Sequence, residues 1–364
     1  MSTTKLVWCG YLCYICTMDD VELLLKAHFS RYPLMESQDA VKLLYQGEFG
    51  PSHLTACESG SFEKLSAEYE AAASTGEPLN DYICGGMSRV HVAAAKAAGI
   101  APLTLNKLFL LSAKSQEGSM TRFEAKLACL LKISEEGAPF TKAALNSFLS
   151  RWRALKMPKI SHSSAYREHY KPSYRVLMSR YANFIPLFAA VDKRFLQGKT
   201  TTIGIDGNCG AGKSTLAGLL AAVYKNSCVI PMDNFFLPKT KQALFPHGGN
   251  VDHERFSQLA SSIKRFEKFS YAPFNCLTGE YAKQEEVLPD KLIIVEGSYC
   301  LHPKHSALYD IRVFLECPHD EQLLRLEKRS PEKLSRFINE WIPSENAYFE
   351  RYNIKHSSDY VFKT

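Results

Sequence analysis

The octapeptide Gly207-Asn208-Cys209-Gly210-Ala211-Gly212-Lys213-Ser214 constrains this chain more than any other feature. A β-rich run (201–205) precedes it, and a helical run begins at Thr215 and continues to 224. Glycines at these positions let the backbone wrap tightly round an anion and turn successive N–H groups inward. A helix N-terminus directly behind the turn adds partial positive charge. The G-x-x-x-x-G-K-[ST] spacing therefore predicts a triphosphate cradle from Gly207 through Thr215. Lys213 should reach the β- and γ-phosphates, and Ser214 should ligate Mg²⁺. Cys209 lies inside this loop. Either the local positive potential lowers its thiol pKa and makes it reactive, or it is simply a small residue that fits.

Two halves of different texture surround this loop. At 364 residues the chain is long enough for about two domains. With 46% apolar and 23% charged residues, a disordered or fibrous protein is excluded. The net charge of +6 suits a small anionic partner. No basic–aromatic stripe accompanies it, so nucleic acid is not an expected partner. Nor is a membrane, because no run approaches the ~20 continuous apolar residues of a spanning helix. Eleven cysteines, an odd number scattered through apolar segments, predict a reducing, cytoplasmic setting.

The expected organisation is an irregular apolar extension (1–18), a mainly α-helical domain (19–197) and an α/β domain (198–364). In the extension, Cys9, Cys13 and Cys16 have a spacing that fits an iron–sulfur ligand set. The strand–helix repeats such an enzyme requires do not follow, and an untidy start before Met18 is the plainer reading. Val41, Leu43, Leu44 and Tyr45 follow Ser37-Gln38-Asp39, a helix-start signal. Runs 62–73, 122–133 and 143–155 repeat apolar residues at helical spacing, the last capped by Thr141. A long segment, 174–195, also reads as helix and ends at Gln197-Gly198-Lys199, the expected boundary. Beyond it, β-rich runs at 201–205, 228–232, 292–295, 311–315 and 359–362 alternate with helical stretches. That alternation predicts a parallel sheet flanked by helices.

Two acids stand at predicted strand ends, the edge where open α/β sheets bind ligands. Glu296 closes Lys291-Leu-Ile-Ile-Val and suits a magnesium anchor. Asp233 closes Cys228-Val-Ile-Pro-Met and suits a group near the metal that takes a proton from an acceptor hydroxyl. Each could equally be a strand-end carboxylate without catalytic duty. Arg325, Lys328, Arg329 and Arg336 lie in the basic helical segment 321–336, which reads either as a closing lid or as a solvated helix face.

Taken together, residues 200–364 resemble the uridine kinase and phosphoribulokinase branch of the P-loop kinases. The resemblance rests on the loop at 207–214, Met232-Asp233-Asn234-Phe235-Phe236, Asn250-Val251-Asp252-His253, Val295-Glu296-Gly297 and the segment holding Arg325 and Arg329. It implies an α/β P-loop kinase domain using ATP and Mg²⁺, with Asp233 as base and Ser214 and Glu296 around the metal. It implies that Asp252 binds ribose hydroxyls, that Arg325 and Arg329 belong to a lid, and that Phe236 and Phe274 face substrate. The base-recognition segment departs from the family pattern. Where uridine kinases carry Tyr-Asp-Phe-x-Thr-His, this chain has Phe274-Asn275-Cys276-Leu277-Thr278-Gly279, and the lost histidine removes a polar contact to the base.

The expected activity is transfer of the ATP γ-phosphoryl group to a hydroxyl of a uridine-like nucleoside or another diol-bearing metabolite. The alternative is a nucleotide-dependent switch acting on the helical half. Homo-oligomerisation stays open. In the helical half, 45–53 (with Glu48 and His53) and 161–170 (with His162, Tyr166, His169 and Tyr170) either line a polar pocket or buttress a helical interface. A metal on His53, Glu48 and His162 is a weaker reading of the same residues.

Overall fold

The computed structural model describes residues 18–51, 58–73, 76–238, 250–275 and 278–364. The cysteines of the extension, His53, Cys276 and Leu277 lie outside them. The chain forms two compact units that divide between Ala189 and Ala190, within the helix Ile185–Leu196.

In the first unit, helices Met18–Arg31, Ser37–Phe49, Glu58–Ala71, Pro102–Ser115, Met120–Ile133 and Lys142–Ala154 surround an apolar interior. Leu25, Leu43, Leu44, Phe123, Leu127 and Trp152 meet there. The helix ends follow local chemistry. Thr141 Oγ1 accepts the Ala144 N–H at 3.1 Å, and Ser119 caps its helix in the same way. The second helix starts at Ser37, within the expected Ser37-Gln38-Asp39 signal, and Glu36 before it shares a reciprocal capping box with Asp39.

This unit is not purely helical. β1 (Asn80–Tyr82), β2 (Met87–His91) and β3 (Tyr174–Met178) form an antiparallel sheet in the order β1-β2-β3. The expected helix over 174–195 is therefore a strand, a short helix Ser179–Ala182 and the helix Ile185–Leu196. The cause is tertiary: all five β2 residues are buried, and they need a partner on each edge. Tyr174-Arg-Val-Leu-Met supplies one with its aromatic and β-branched side chains.

The second unit is an open parallel sheet. Its strands include β4 (Thr201–Gly207) and β5 (Ser227–Pro231). Two small antiparallel pairings follow, formed by β6 (Phe269–Tyr271), β7 (Phe274–Asn275), β8 (Glu280–Tyr281) and β9 (Glu285–Val287), with β6 on β9 and β7 on β8. Then come β10 (Leu292–Glu296), β11 (Ile311–Glu316) and β12 (Tyr360–Lys363). The five-stranded order is β12-β11-β4-β10-β5, with every pairing parallel. All five strands coincide with the expected β-rich runs to within two residues at each end. β4 and β10 are buried along their whole length, as expected of central strands covered on both faces. Among the described residues no helix is long and apolar enough to cross a membrane.

Candidate active site

The loop leaves the carboxyl end of β4, the middle strand, and enters the helix Lys213–Val223 with Gly212 as its N-cap. Gly207 has φ +137°, and a Cβ there would lie 2.1 Å from the Leu315 carbonyl oxygen, so only glycine fits. Just before it, Asp206 is wholly buried. Its carboxylate accepts the Gly207 N–H (2.8 Å), the Leu301 N–H (3.1 Å) and the Tyr348 hydroxyl (2.9 Å). Burial pushes its pKa up to about 6, against the pull of Lys213 and these donors.

The Lys213 ammonium donates to the carbonyls of Gly207 (2.7 Å) and Asn208 (3.1 Å), lying back across the loop. Asn208 ties the loop to β11: its N–H donates to Leu315 O, and its side-chain oxygen accepts the Cys317 N–H. The buried Glu345, on the helix Ile342–Arg351, accepts the Cys209 N–H at 2.9 Å and the Ser298 hydroxyl at 2.6 Å. Gln322 donates to the Cys209 carbonyl at 2.9 Å, and Arg325 donates to the Gly210 carbonyl at 3.3 Å while pairing with Glu321. The reactive-thiol reading of Cys209 does not survive this geometry. Burial, reinforced by Glu345, pushes the thiol up to about 12 and outweighs Lys213.

Parallel pairing brings the two predicted acids to this end of the sheet. Glu296 is in register with Ile205 of β4 on one side and Pro231 of β5 on the other. The Ser214 hydroxyl lies 3.1 Å from each Glu296 carboxylate oxygen. Asp233 follows two residues after Pro231, in the 3₁₀ turn Met232–Phe235. A Cβ on Gly297 would stand 3.5 Å from Asp233 Oδ1, so the carboxyl groups of Asp233 and Glu296 flank one glycine.

Burial raises both pKa values. Lys213 opposes the rise at Asp233, the Ser214 hydrogen bond opposes it at Glu296, and Asp233 itself pushes Glu296 further up. Asp233 is exposed to solvent although protein atoms crowd round it. Arg329 is close enough to draw the Asp233 pKa down, and its guanidinium sits 5.5 Å over the Phe337 ring. Lys328 is exposed, and Arg336 pairs with Glu340 and stacks on Trp341.

Asp252 reaches the same neighbourhood through a backbone bridge between Phe236 and Val251, and its N–H donates to the Phe235 carbonyl at 2.7 Å. Its carboxylate also caps the short helix His253–Ser257 through the Arg255 N–H at 3.0 Å. Arg255 gathers this side of the site, donating to Ala272 O and Asn234 O and lying over the rings of Phe235 and Tyr281. Phe274 is buried and packs edge-on against Tyr281. The departure from the base-recognition pattern has a local cause. Gly279 closes the β7–β8 turn at φ +75°, where a histidine side chain would be strained.

Asp206 and Glu345 are site residues that the sequence reading did not select. Asp206 left a signal, a carboxylate inside an apolar strand directly before the first loop glycine. Glu345 left none, because its partners are 136 and 47 residues away.

The donor set, one hydroxyl and two carboxylates, is all hard oxygen and fits Mg²⁺. Among the described residues no group of three or more His, Cys, Asp or Glu is arranged to hold a metal. Of the residues in the alternative metal reading of the first unit, Glu48 is bound to Lys126 and Arg122, His162 to Asp39, and His53 lies outside the described residues.

Sheet order, loop and carboxylates make the second unit an α/β domain with a phosphate-binding loop at the carboxyl end of its parallel sheet. In sequence it is similar to uridine kinases. One from Borrelia hermsii is 24% identical over 163 residues, covering 41% of this chain and 79% of that protein. The uridine-cytidine kinase C of Dictyostelium discoideum is 30% identical over 122 residues, covering 32% of this chain and 27% of that protein. A solved structure of a possible uridine kinase from Bacillus stearothermophilus is similar at 23% identity, over 48% of this chain and 98% of that one, with a TM-score of 0.38. No family model matches the chain.

Proposed function

We propose that the second unit is a small-molecule kinase that moves the γ-phosphoryl group of ATP to a hydroxyl of a uridine-like nucleoside or a related diol-bearing metabolite. The observation carrying this reading is the meeting of Ser214, Glu296 and Asp233 at the mouth of the 207–214 loop. A loop alone serves any nucleotide-binding protein. A second carboxylate beside the metal position is what an alcohol acceptor needs.

In this mechanism the inward N–H groups and Lys213 hold the β- and γ-phosphates, which requires Lys213 to leave the carbonyls of Gly207 and Asn208. Ser214 and Glu296, with Asp233 nearby, would hold Mg²⁺, which supplies charge neutralisation at the phosphates. Asp233, its pKa raised by burial, takes the proton from the acceptor hydroxyl as the oxygen attacks. Arg325 and Arg329 spread the charge developing on the transferring group. Asp252 and the Phe236–Phe274 side orient the acceptor, its vicinal hydroxyls on the Asp252 carboxylate. A cytoplasmic setting accords with the free cysteines at 84, 129, 209, 228, 300 and 317.

The test is ATP turnover by the purified chain with a panel of nucleosides, sugars and polyols, with products read by mass spectrometry. Acceptor-dependent release of ADP with a new phosphomonoester is expected. Hydrolysis at the same rate with and without every acceptor would favour the nucleotide switch instead.

A further inference from the structure

The acceptor side of the second unit hangs on a very short helix. Asp252 caps the five-residue helix His253–Ser257 by accepting the Arg255 N–H at 3.0 Å. Its own N–H is bound to the Phe235 carbonyl, in the turn that carries Asp233. A helix this short has little stability of its own. Where the Asp252 carboxylate points therefore depends on what the side chains of the helix touch. Phe256 is wholly buried and packs edge-on against Phe235, with ring centroids 5.1 Å apart. Apolar packing of this kind is non-directional, so it fixes depth but not orientation.

Orientation comes from a cluster of histidines. The chain leaving β10 reaches His302 and then the 3₁₀ helix Pro303–Leu308, which carries His305. His305 is 3% exposed, and its Nε2 lies 2.9 Å from His253 Nδ1. Its ring also stands edge-on to Phe256 at 4.8 Å, so one side chain holds both the first and the fourth residue of the helix. His302 completes the cluster, its ring 4.3 Å from that of His253 and parallel to that of Tyr348 at 6.3 Å. Tyr348 in turn donates to Asp206, directly before the phosphate loop. Burial holds His302 at about 4 and His305 at about 3, so both rings are neutral, and one proton between His253 and His305 completes their hydrogen bond. The rings stack on one another rather than converge on a point, and among the described residues no such group is arranged to hold a metal.

We propose, building on the kinase reading, that His305 is a positioning residue: through His253 it fixes the short helix that aims Asp252 at the acceptor hydroxyls. A neutral hydrogen bond adds little net stability, so what the imidazole pair supplies is direction.

The test compares two variants of the full chain. His305→Leu keeps an apolar contact for Phe256 but loses the bond to His253, whereas the amide of His305→Gln replaces Nε2. Amide hydrogen exchange reads the Arg255 N–H, the group held by the Asp252 carboxylate. Initial rates with Mg²⁺-ATP and uridine give kcat and KM, and calorimetry gives nucleotide affinity. In His305→Leu the Arg255 N–H should exchange several-fold faster. The KM for uridine should rise about tenfold, with kcat and ATP affinity near those of the unsubstituted protein, because Asp252 binds the acceptor equally before and during transfer. His305→Gln should return exchange and KM towards the unsubstituted values. An unchanged Arg255 exchange rate or an unchanged uridine KM in His305→Leu would overturn the proposal. So would a parallel loss of kcat and ATP affinity, which marks general loosening of the site. If the unsubstituted protein transfers nothing to uridine, the nucleoside reading fails instead, and the Arg255 exchange rate still decides whether His305 holds Asp252.

Discussion

The two units of this chain handle buried charge in opposite ways. In the second unit the buried carboxylates of Asp206 and Glu345 are occupied with backbone N–H groups and hydroxyls, and they shape a loop whose remaining N–H groups are left for an anion. Sheet order does most of that work, since β10 sits between β4 and β5, so that the end of β10 brings Glu296 and the turn after β5 brings Asp233 to the same edge as the loop. In the first unit the buried groups form a side-chain relay, Asp39–His162–Tyr174, beside Gln46 and Arg89, drawn from one helix, two strands and a connecting segment. A site built on backbone and register is written in short motifs. One built from a side-chain relay is spread through the sequence.

The largest effect expected falls on Lys213. Lys213→Ala should abolish turnover, a loss of roughly 10³-fold or more for removing a charge from the transferring phosphates. Far-UV circular dichroism should be unchanged, because the side chain contacts loop carbonyls rather than core. A large loss of helix signal would mean the lysine holds the fold. Next comes Glu345. Glu345→Ala strips the acceptor from the Cys209 N–H and the Ser298 hydroxyl, and leaving such buried donors unmet costs about 1–3 kcal/mol. Thermal melts should show this as a fall in Tm, smaller in Glu345→Gln, which keeps one acceptor; an unchanged Tm in Glu345→Ala would show that the loop does not depend on it.

A further effect, absent at neutral pH and growing only on acidification, is a pH dependence specific to the first unit. His162 has a folded-state pKa of about 4 against an ordinary 6.5, because burial disfavours the imidazolium. The stability tied to its neutral form is present above pH 6.5 and lost as pH falls toward 4, at most about 3 kcal/mol. Asp206 runs the other way. With its pKa raised to about 6, it costs stability above that pH and relieves it on acidification. Melts of His162→Gln should therefore show a shallower decline between pH 6.5 and 4 than the unsubstituted chain, and an identical acid limb would remove His162 from this account.

The same contrast explains what was legible in the sequence. The five parallel strands could be read because each is a short apolar run between helical stretches, and the phosphate loop because its glycines answer to backbone geometry. The strand at Tyr174–Met178 could not, since its identity depends on β2, whose pairing residues lie more than 80 positions earlier. Glu345 is hidden for the same reason. Cys209 was placed correctly in the loop, but its chemistry depends on Glu345 and Gln322, which arrive from distant helices.

Asp233 offers the most direct test of the second unit's chemistry. Calorimetric titration of ATP with Mg²⁺ into Asp233→Asn, paired with single-turnover transfer to whichever acceptor the panel identifies, separates binding from proton removal. The expected result is nucleotide affinity close to that of the unsubstituted protein, with transfer slowed by roughly two to four powers of ten. Transfer at the normal rate would contradict the assignment of Asp233 as the base.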